Sequence, residues 1–318
     1  MQTIKDEKLP TVPGLNGNYN KLNEWLKKKF GERTLKICID GGFTCPNRDG
    51  TVGIGGCIFC SEKGSGEHLN STENISNQVK NYFESYKSQR ANKFIAYFQN
   101  FTNTYDTPQN LKKKYDAALI DNRIVALAIA TRPDCINEEI INLLKSYTDK
   151  YYVWVELGLQ TSNDTTGELL HRGYTSEQFT NAVKLLNKSN IDVVSHIMIG
   201  LPNETHEDIK NTVKFINQHN LQGIKIHSTY IVENTVLADM YKIGKYSPIT
   251  LDYYLDELAF VLTHINPNLV IHRISGDAPK NLLLAPSWNT HKKWILNGLD
   301  KYLKERNLWQ GKFFSDII

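Results

Sequence analysis

The chain has 318 residues, 40% hydrophobic and 22% charged, enough apolar material for one large core with a smaller appendage, which excludes a disordered protein. Lysine and arginine number 37 against 34 aspartates and glutamates, and a net charge of +3 is too small to signal nucleic-acid binding by itself. No apolar run approaches the roughly 20 residues that span a bilayer, so no membrane partner is expected. Five cysteines, an odd number gathered mostly in one loop, point to a reducing cytoplasm rather than a disulfide framework.

Met1 to Pro13 is charged and holds prolines, without the apolar centre of a secretory signal. A helical segment is expected through residue 34, and its cations Lys27, Lys28, Lys29 and Arg33, with Lys36 following, lie beside Tyr19 and Trp25 as one candidate basic surface. The first strand, Leu35 to Asp40, runs into a Gly-rich loop that carries Cys45, Cys57 and Cys60 with the spacing C-x11-C-x2-C. Three thiolates hold three corners of a four-iron cluster and leave the fourth iron free for a small molecule. The same thiols fit a zinc site completed by His68, and Cys57 with Cys60 fits a redox dithiol that leaves Cys45 idle. The cysteines alone leave these readings open.

Five further apolar runs follow, Phe94 to Gln99, Ile124 to Ala130, Tyr152 to Leu159, Val193 to Ile199 and Gly223 to Ser228, each succeeded by a polar turn and helical periodicity. Strand, loop and helix repeated about six times predicts an α/β fold, a partial (β/α)6 TIM-like barrel, whose site is built from loops at the carboxyl ends of the strands. The cysteine loop occupies such an end. Gln160, Thr161, His196 and His227 project toward the expected lumen and are candidate substrate contacts. Cys38 reads as a buried thiol, and Cys135 as a core residue with hydrogen donation to a radical as the alternative. Arg132 and Asp134 either bind substrate or pair with each other. After Ser228 the pattern changes to helices and one strand, Leu269 to Arg273, giving domains 1–34 (helical segment), 35–229 (partial barrel) and 230–318 (a small C-terminal α/β extension). Lys112 to Lys114 forms a second basic cluster, and near the end His291, Lys292, Lys293 and Trp294, then Lys301, Lys304 and Arg306, mix cations with aromatics as RNA-binding surfaces do.

The cysteine loop, Thr131-Arg132-Pro133-Asp134, Glu156 to Thr161, His171-Arg172-Gly173-Tyr174, Ile199 to Glu204 and Ala285-Pro286-Ser287-Trp288 occur in an order and at strand positions that resemble the radical S-adenosylmethionine (SAM) superfamily. The similarity runs from about Leu35 to Trp288 and is to the branch related to the catalytic subunit of elongator, most of all its bacterial YhcC/YtqA type. It implies a [4Fe-4S] cluster on Cys45, Cys57 and Cys60, SAM as second cofactor, cleavage of SAM to a 5′-deoxyadenosyl radical, and reduced ferredoxin or flavodoxin as electron donor. It implies SAM contacts from Gln99 after the second strand, where the family more often has Gly-Gly-Glu, from Glu156 to the ribose or amine, from Arg172 to the carboxylate, and from the backbone of Ile199 and Gly200 to the adenine. Arg273, Ser275-Gly276-Asp277 and Trp288 of the extension are expected to border the barrel opening. The substrate the resemblance implies is tRNA, at the C5 side chain of the wobble uridine. Elongator subunits also carry an acetyltransferase domain for which no length remains here, so acetyl transfer is not inherited. The alternative is a non-catalytic iron-sulfur or zinc protein that binds RNA or a protein partner.

Overall fold

The computed structural model describes residues 17–64, 66, 69 and 72–317. Its elements run α1 (Leu22–Phe30), β1 (Thr34–Ile39), α2 (Ile75–Glu84), β2 (Lys93–Phe98), α3 (Pro108–Ala118), β3 (Ile124–Thr131), α4 (Glu138–Lys145), β4 (Tyr152–Gln160), α5 (Asp164–Leu169), α6 (Ser176–Lys188), β5 (Asp192–Ile199), α7 (His206–Asn217) and β6 (Gly223–Ser228). They continue with β7 (Ile231–Val232), α8 (Val236–Lys242), α9 (Leu251–His264), β8 (Val270–Arg273), β9 (Leu283–Ala285) and α10 (Lys292–Glu305). The six expected strands are present and pair parallel in chain order. A seventh, β8, comes from the expected extension and pairs parallel with β6, so the C-terminal part completes the sheet instead of standing apart from it.

Period-2 alternation sorts each strand into two faces. Val153, Val155, Leu157 and Leu159 of β4 pack outward against helices in one large core, while Trp154 joins an inner cluster with Ile95, Tyr97, Ala126, Ala128, Ala130 and Val194. The covering helices begin at sequence-encoded caps: Thr175 with Gln178 and Thr205 with Asp208 form reciprocal capping boxes, and Asn74 and Asn137 accept from the amides of Asn77 and Ile140. Each then buries an apolar stripe such as Phe179, Val183 and Leu186 of α6, about 1.5–3 kcal/mol per side chain.

The inner cluster is completed by α1, whose Leu26 is buried with Leu22, Trp25 and Phe30 against it. This helix contacts both β1 and β8 and fills the amino-terminal end of the lumen between the two edge strands. The seam is held by main-chain pairing of Lys21 with Ile271 and by Gln310, which accepts from the Asn20 amide at 2.8 Å and donates to the Leu269 carbonyl at 2.8 Å. In the extension, β7 and β9 form an antiparallel pair, and Ile231, Leu237, Ala238, Tyr246 and Ala285 pack with Ile58 of the cysteine loop. Trp288, expected at the opening, is instead buried under α9, stacked on Tyr254 at 5.3 Å and donating to the Ile249 carbonyl.

Candidate active site

The loop after β1 folds on its own backbone. The amides of Arg48 and Asp49 donate to the Cys45 carbonyl at 2.8 and 3.2 Å, those of Val52 and Gly53 to Pro46, that of Gly56 to Asn47, and that of Cys60 to Cys57. Arg48 straps the two ends by donating to the carbonyls of Cys60, Ser61 and Glu62. Gly56, at φ +88°, passes so close that a Cβ there would lie 2.9 Å from Arg48 Nε, which is why a glycine is needed. The Ile58 amide donates to Leu170 and its carbonyl accepts from Leu237, fixing the Cys57–Cys60 turn between α5 and α8.

Cys45, Cys57 and Cys60 line one wall of a cavity of about 260 Å³. Burial and the neighbouring Cys60 and Cys45 thiols push Cys57 up to about 12, while Arg132 and a 3.6 Å hydrogen bond from Asn47 Nδ2 act the other way. Cationic iron bound here would displace the protons of these thiols to solvent, and the donor set of three sulfurs on one wall fits a cluster that presents a separate iron to each. Among the described residues no three Cys, His, Asp or Glu side chains converge on one ion-sized point; a cube spaces its irons at separate corners. His68 lies outside the described residues.

Opposite the thiols the cavity is lined by Gln99, Gln160, His196, His227, Lys225, Tyr97, Glu156 and Arg273. An adjoining cavity of about 190 Å³ shares Phe59, Gln99, Gln160, His196, His227, Tyr230 and Arg273 and adds Met198, Ser228 and Asp277. On the floor, Glu156 accepts from Lys36 Nζ (3.1 Å), Trp154 Nε1 (3.1 Å), Tyr97 OH (2.8 Å), His196 Nε2 (3.0 Å) and Lys225 Nζ. Burial alone would raise the Glu156 carboxyl, yet Lys225 and Lys36 hold it well below the usual carboxylate range. Burial lowers Lys225 to about 7 against the pull of Glu156, and burial with Lys225 nearby lowers His196 to about 4. His227, also driven down by burial, has a buried Nε2 with no hydrogen-bond partner among the described residues. Both histidines are therefore neutral at pH 7.

The residues read from the sequence divide by strand parity and hydrogen bonding. Gln99, Gln160, His196, His227 and Arg273 meet in these cavities, with Arg273 ion-paired to Asp277 at 2.9 Å. Thr161 points the other way, to Thr212 at 3.3 Å, and Ile199 lies in the outer core because inward positions on β5 are His196 and Met198. Gly200 makes its close approach to Ile249, with its carbonyl taken by Tyr246 OH. Glu156 sits mid-strand, not at the strand end, with its oxygens committed to the network. Arg172 is 1% exposed and donates to the carbonyls of Leu159, Thr161 and Tyr174 and to Asp164, which leaves it stitching the loop after β4. Arg132, not Arg172, lines the cavity with the thiols and acts on Cys57, and it is paired bidentately with Asp134 at 2.9 and 2.7 Å. Lys36, read as a surface cation, points into the lumen. Phe59, Tyr97, Met198 and Lys225 went unread; a lysine and a glutamate each set inside an apolar strand was the available signal for Lys225 with Glu156.

A family profile described as the radical SAM superfamily matches residues 45–216, more than half of the chain. The chain belongs to the radical SAM superfamily. The profile of the radical SAM C-terminal domain matches residues 221–305. The uncharacterized protein YtqA of Bacillus subtilis (strain 168) is 38% identical over 303 residues, 94% of each chain. The tRNA uridine(34) acetyltransferase of Methanocaldococcus jannaschii is 31% identical over 168 residues, 52% of this chain and 30% of that protein. The solved structure of the archaeal Methanocaldococcus infernus Elp3 with an N-terminal deletion superposes with a TM-score of 0.67 at 20% identity, covering 87% of this chain and 64% of that one, a likeness of fold. Radical SAM proteins are enzymes that use a [4Fe-4S] cluster and SAM. No helix among the described residues is long and apolar enough to cross a membrane.

Proposed function

We propose that this radical SAM enzyme modifies a tRNA, at the C5 side chain of the wobble uridine. The observation that carries the reading is one cavity walled by three thiols on one side and by amides, two neutral imidazoles and an arginine on the other. When bound, the cluster supplies the electron that splits SAM into methionine and a 5′-deoxyadenosyl radical. Cys45, Cys57 and Cys60 hold it, and Asn47 hydrogen-bonds the Cys57 sulfur. Gln99 and Gln160 offer amide groups to SAM, and Phe59 and Met198 give apolar surface to a planar base.

His196 donates from Nε2 to the ionised Glu156, which leaves Nδ1 as an acceptor for substrate, and His227 and Arg273 complete a polar rim. The packed floor of Tyr97, Trp154, Lys225 and α1 excludes water from below, which a radical intermediate requires. Similarity to a protein named for tRNA uridine(34) supports the substrate class; acetyl transfer is not part of the proposal. Reduced ferredoxin or flavodoxin is the proposed electron donor, and the cytoplasm the proposed location.

Two measurements test this. Anaerobic reconstitution with iron and sulfide, then SAM and dithionite, is expected to give a brown protein that forms 5′-deoxyadenosine. Nucleoside mass spectrometry of a deletion strain is expected to show an altered wobble uridine; an unchanged profile removes tRNA as the substrate.

A further inference from the structure

At the start of α10 an aromatic pair stands in the open. The His291 and Trp294 rings stack at 4.1 Å between centroids with 17° between planes, and Trp294 is 55% exposed. Packing does not call for this, since α10 buries Ile295, Leu299 and Leu303 on its other face. Lys292 and Lys293, both exposed, flank the pair, and the first turn of α10 carries no acidic residue. One contact ties this surface to the reaction cavity: Asp277, on the cavity wall, pairs with Arg273 at 2.9 Å and with Lys292 at 3.6 Å.

We propose that Trp294, braced by His291, is a stacking platform for an unpaired RNA base next to the nucleotide that enters the cavity, and that Lys292 and Lys293 take the adjoining phosphates. The proposal rests on the RNA reading given above. A pre-stacked indole costs little ordering on binding, offers a π face to any base, and sits among cations that a phosphodiester complements. A phosphate also offers Lys292 and Arg273 an anion to exchange for Asp277, which links strand binding to freeing of the cavity rim. An acidic protein would use the lysines but gains nothing from the flat exposed ring, so the surface fits single-stranded RNA better.

The test is binding of the reconstituted full chain to an anticodon stem-loop RNA across a salt series, with a perfectly paired RNA duplex for comparison. Trp294→Ala is expected to weaken stem-loop binding about ten-fold, the size of one lost base stack, with the salt slope unchanged and Trp294→Phe restoring most of the affinity. Lys293→Ala is expected to lower the slope of log affinity against log salt by about 0.7, one single-strand phosphate contact. Wild-type stem-loop binding that neither variant alters overturns the platform and leaves the RNA reading standing. Equal affinity of the wild type for the duplex overturns the platform as well. If the wild type binds neither RNA, the substrate reading itself falls. If the variants change only the affinity for flavodoxin, the surface is a protein-docking site and the proposal is wrong.

Discussion

Glu156→Gln tests the floor of the cavity. The carboxylate accepts five donors, two of them lysines. The amide keeps one acceptor and turns the other oxygen into a donor, so it faces either Lys36 and Trp154 or Tyr97, His196 and Lys225 with the wrong polarity. It also leaves one buried cation, Lys225, and one half-buried cation, Lys36, without their anion. Lys225, already lowered to about 7 by burial, then loses the partner that raises it and sheds its proton near neutrality, which limits the damage. The expected loss is about 3–5 kcal/mol, that of breaking a buried pair. With unfolding entropy of about 2.1 cal/mol/K per residue, 318 residues give about 0.7 kcal/mol/K, so the loss lowers Tm by about 4–7 °C.

The assay is thermal unfolding by circular dichroism at several pH values. The Glu156 carboxyl is depressed in the folded state, so its stabilisation is present above the unfolded value of 4.5 and lost only as pH falls through the lower folded value. The gap between wild type and variant is therefore expected to be widest at about pH 5, above the unfolded carboxylate range, and to narrow toward pH 7 as Lys225 of the variant, without Glu156 to raise it, loses its proton first. Adding Lys225→Met to Glu156→Gln is expected to cost less than the two single losses summed, because the pair shares its partners. A Tm drop under about 2 °C, or strict additivity, would refute the network as described.

Cys60→Ala is expected to abolish the brown chromophore of the reconstituted enzyme and to cut 5′-deoxyadenosine by more than the roughly 100-fold that loss of a mere outer-shell partner can cost, measured by absorbance and chromatography. Gly56→Ala forces a Cβ against Arg48 at positive φ and is expected to cost about 1–3 kcal/mol and lower iron content per chain, read by elemental analysis. Burial raises Glu204 from 4.5 to about 7 despite hydrogen bonds from Thr161, so the folded state binds more protons and loses stability as pH rises from 4.5 through 7. Glu204→Gln is expected to remove that slope, seen as a pH-dependent Tm difference that grows toward pH 7.

The parts that were legible in the sequence are those that obey a local period. The cysteine loop announces itself, the six strands follow from apolar runs, and alternation along them correctly sends His196 and His227 inward. Thr161 fails by one position, because a motif matched by its order does not say which parity faces the lumen. Arg132 and Arg172 both lie in recognisable motifs, and only the fold decides that one lines the cavity with the thiols while the other is used up by backbone carbonyls. The Lys36–Glu156–Lys225 network joins residues from three strands up to 189 positions apart, Lys36 to Lys225, beyond any local pattern. The seventh strand was legible as a strand, but four residues, Val270–Arg273, carry no signal that says which strand they pair with, so its place beside β6 was not.

The seam between α1 and β8 has a bearing on how the enzyme is made. Asn20 is bound to Ile271 and Gln310, so the chain must be made through Gln310 before both ties across the seam can form. Until then α1, the first helix among the described residues, has β1 and the inner cluster to pack on but lacks its anchor on β8. A stop between Arg273 and Gln310 thus keeps the main-chain tie to Ile271 and loses the Gln310 half of the latch on the floor of the reaction chamber.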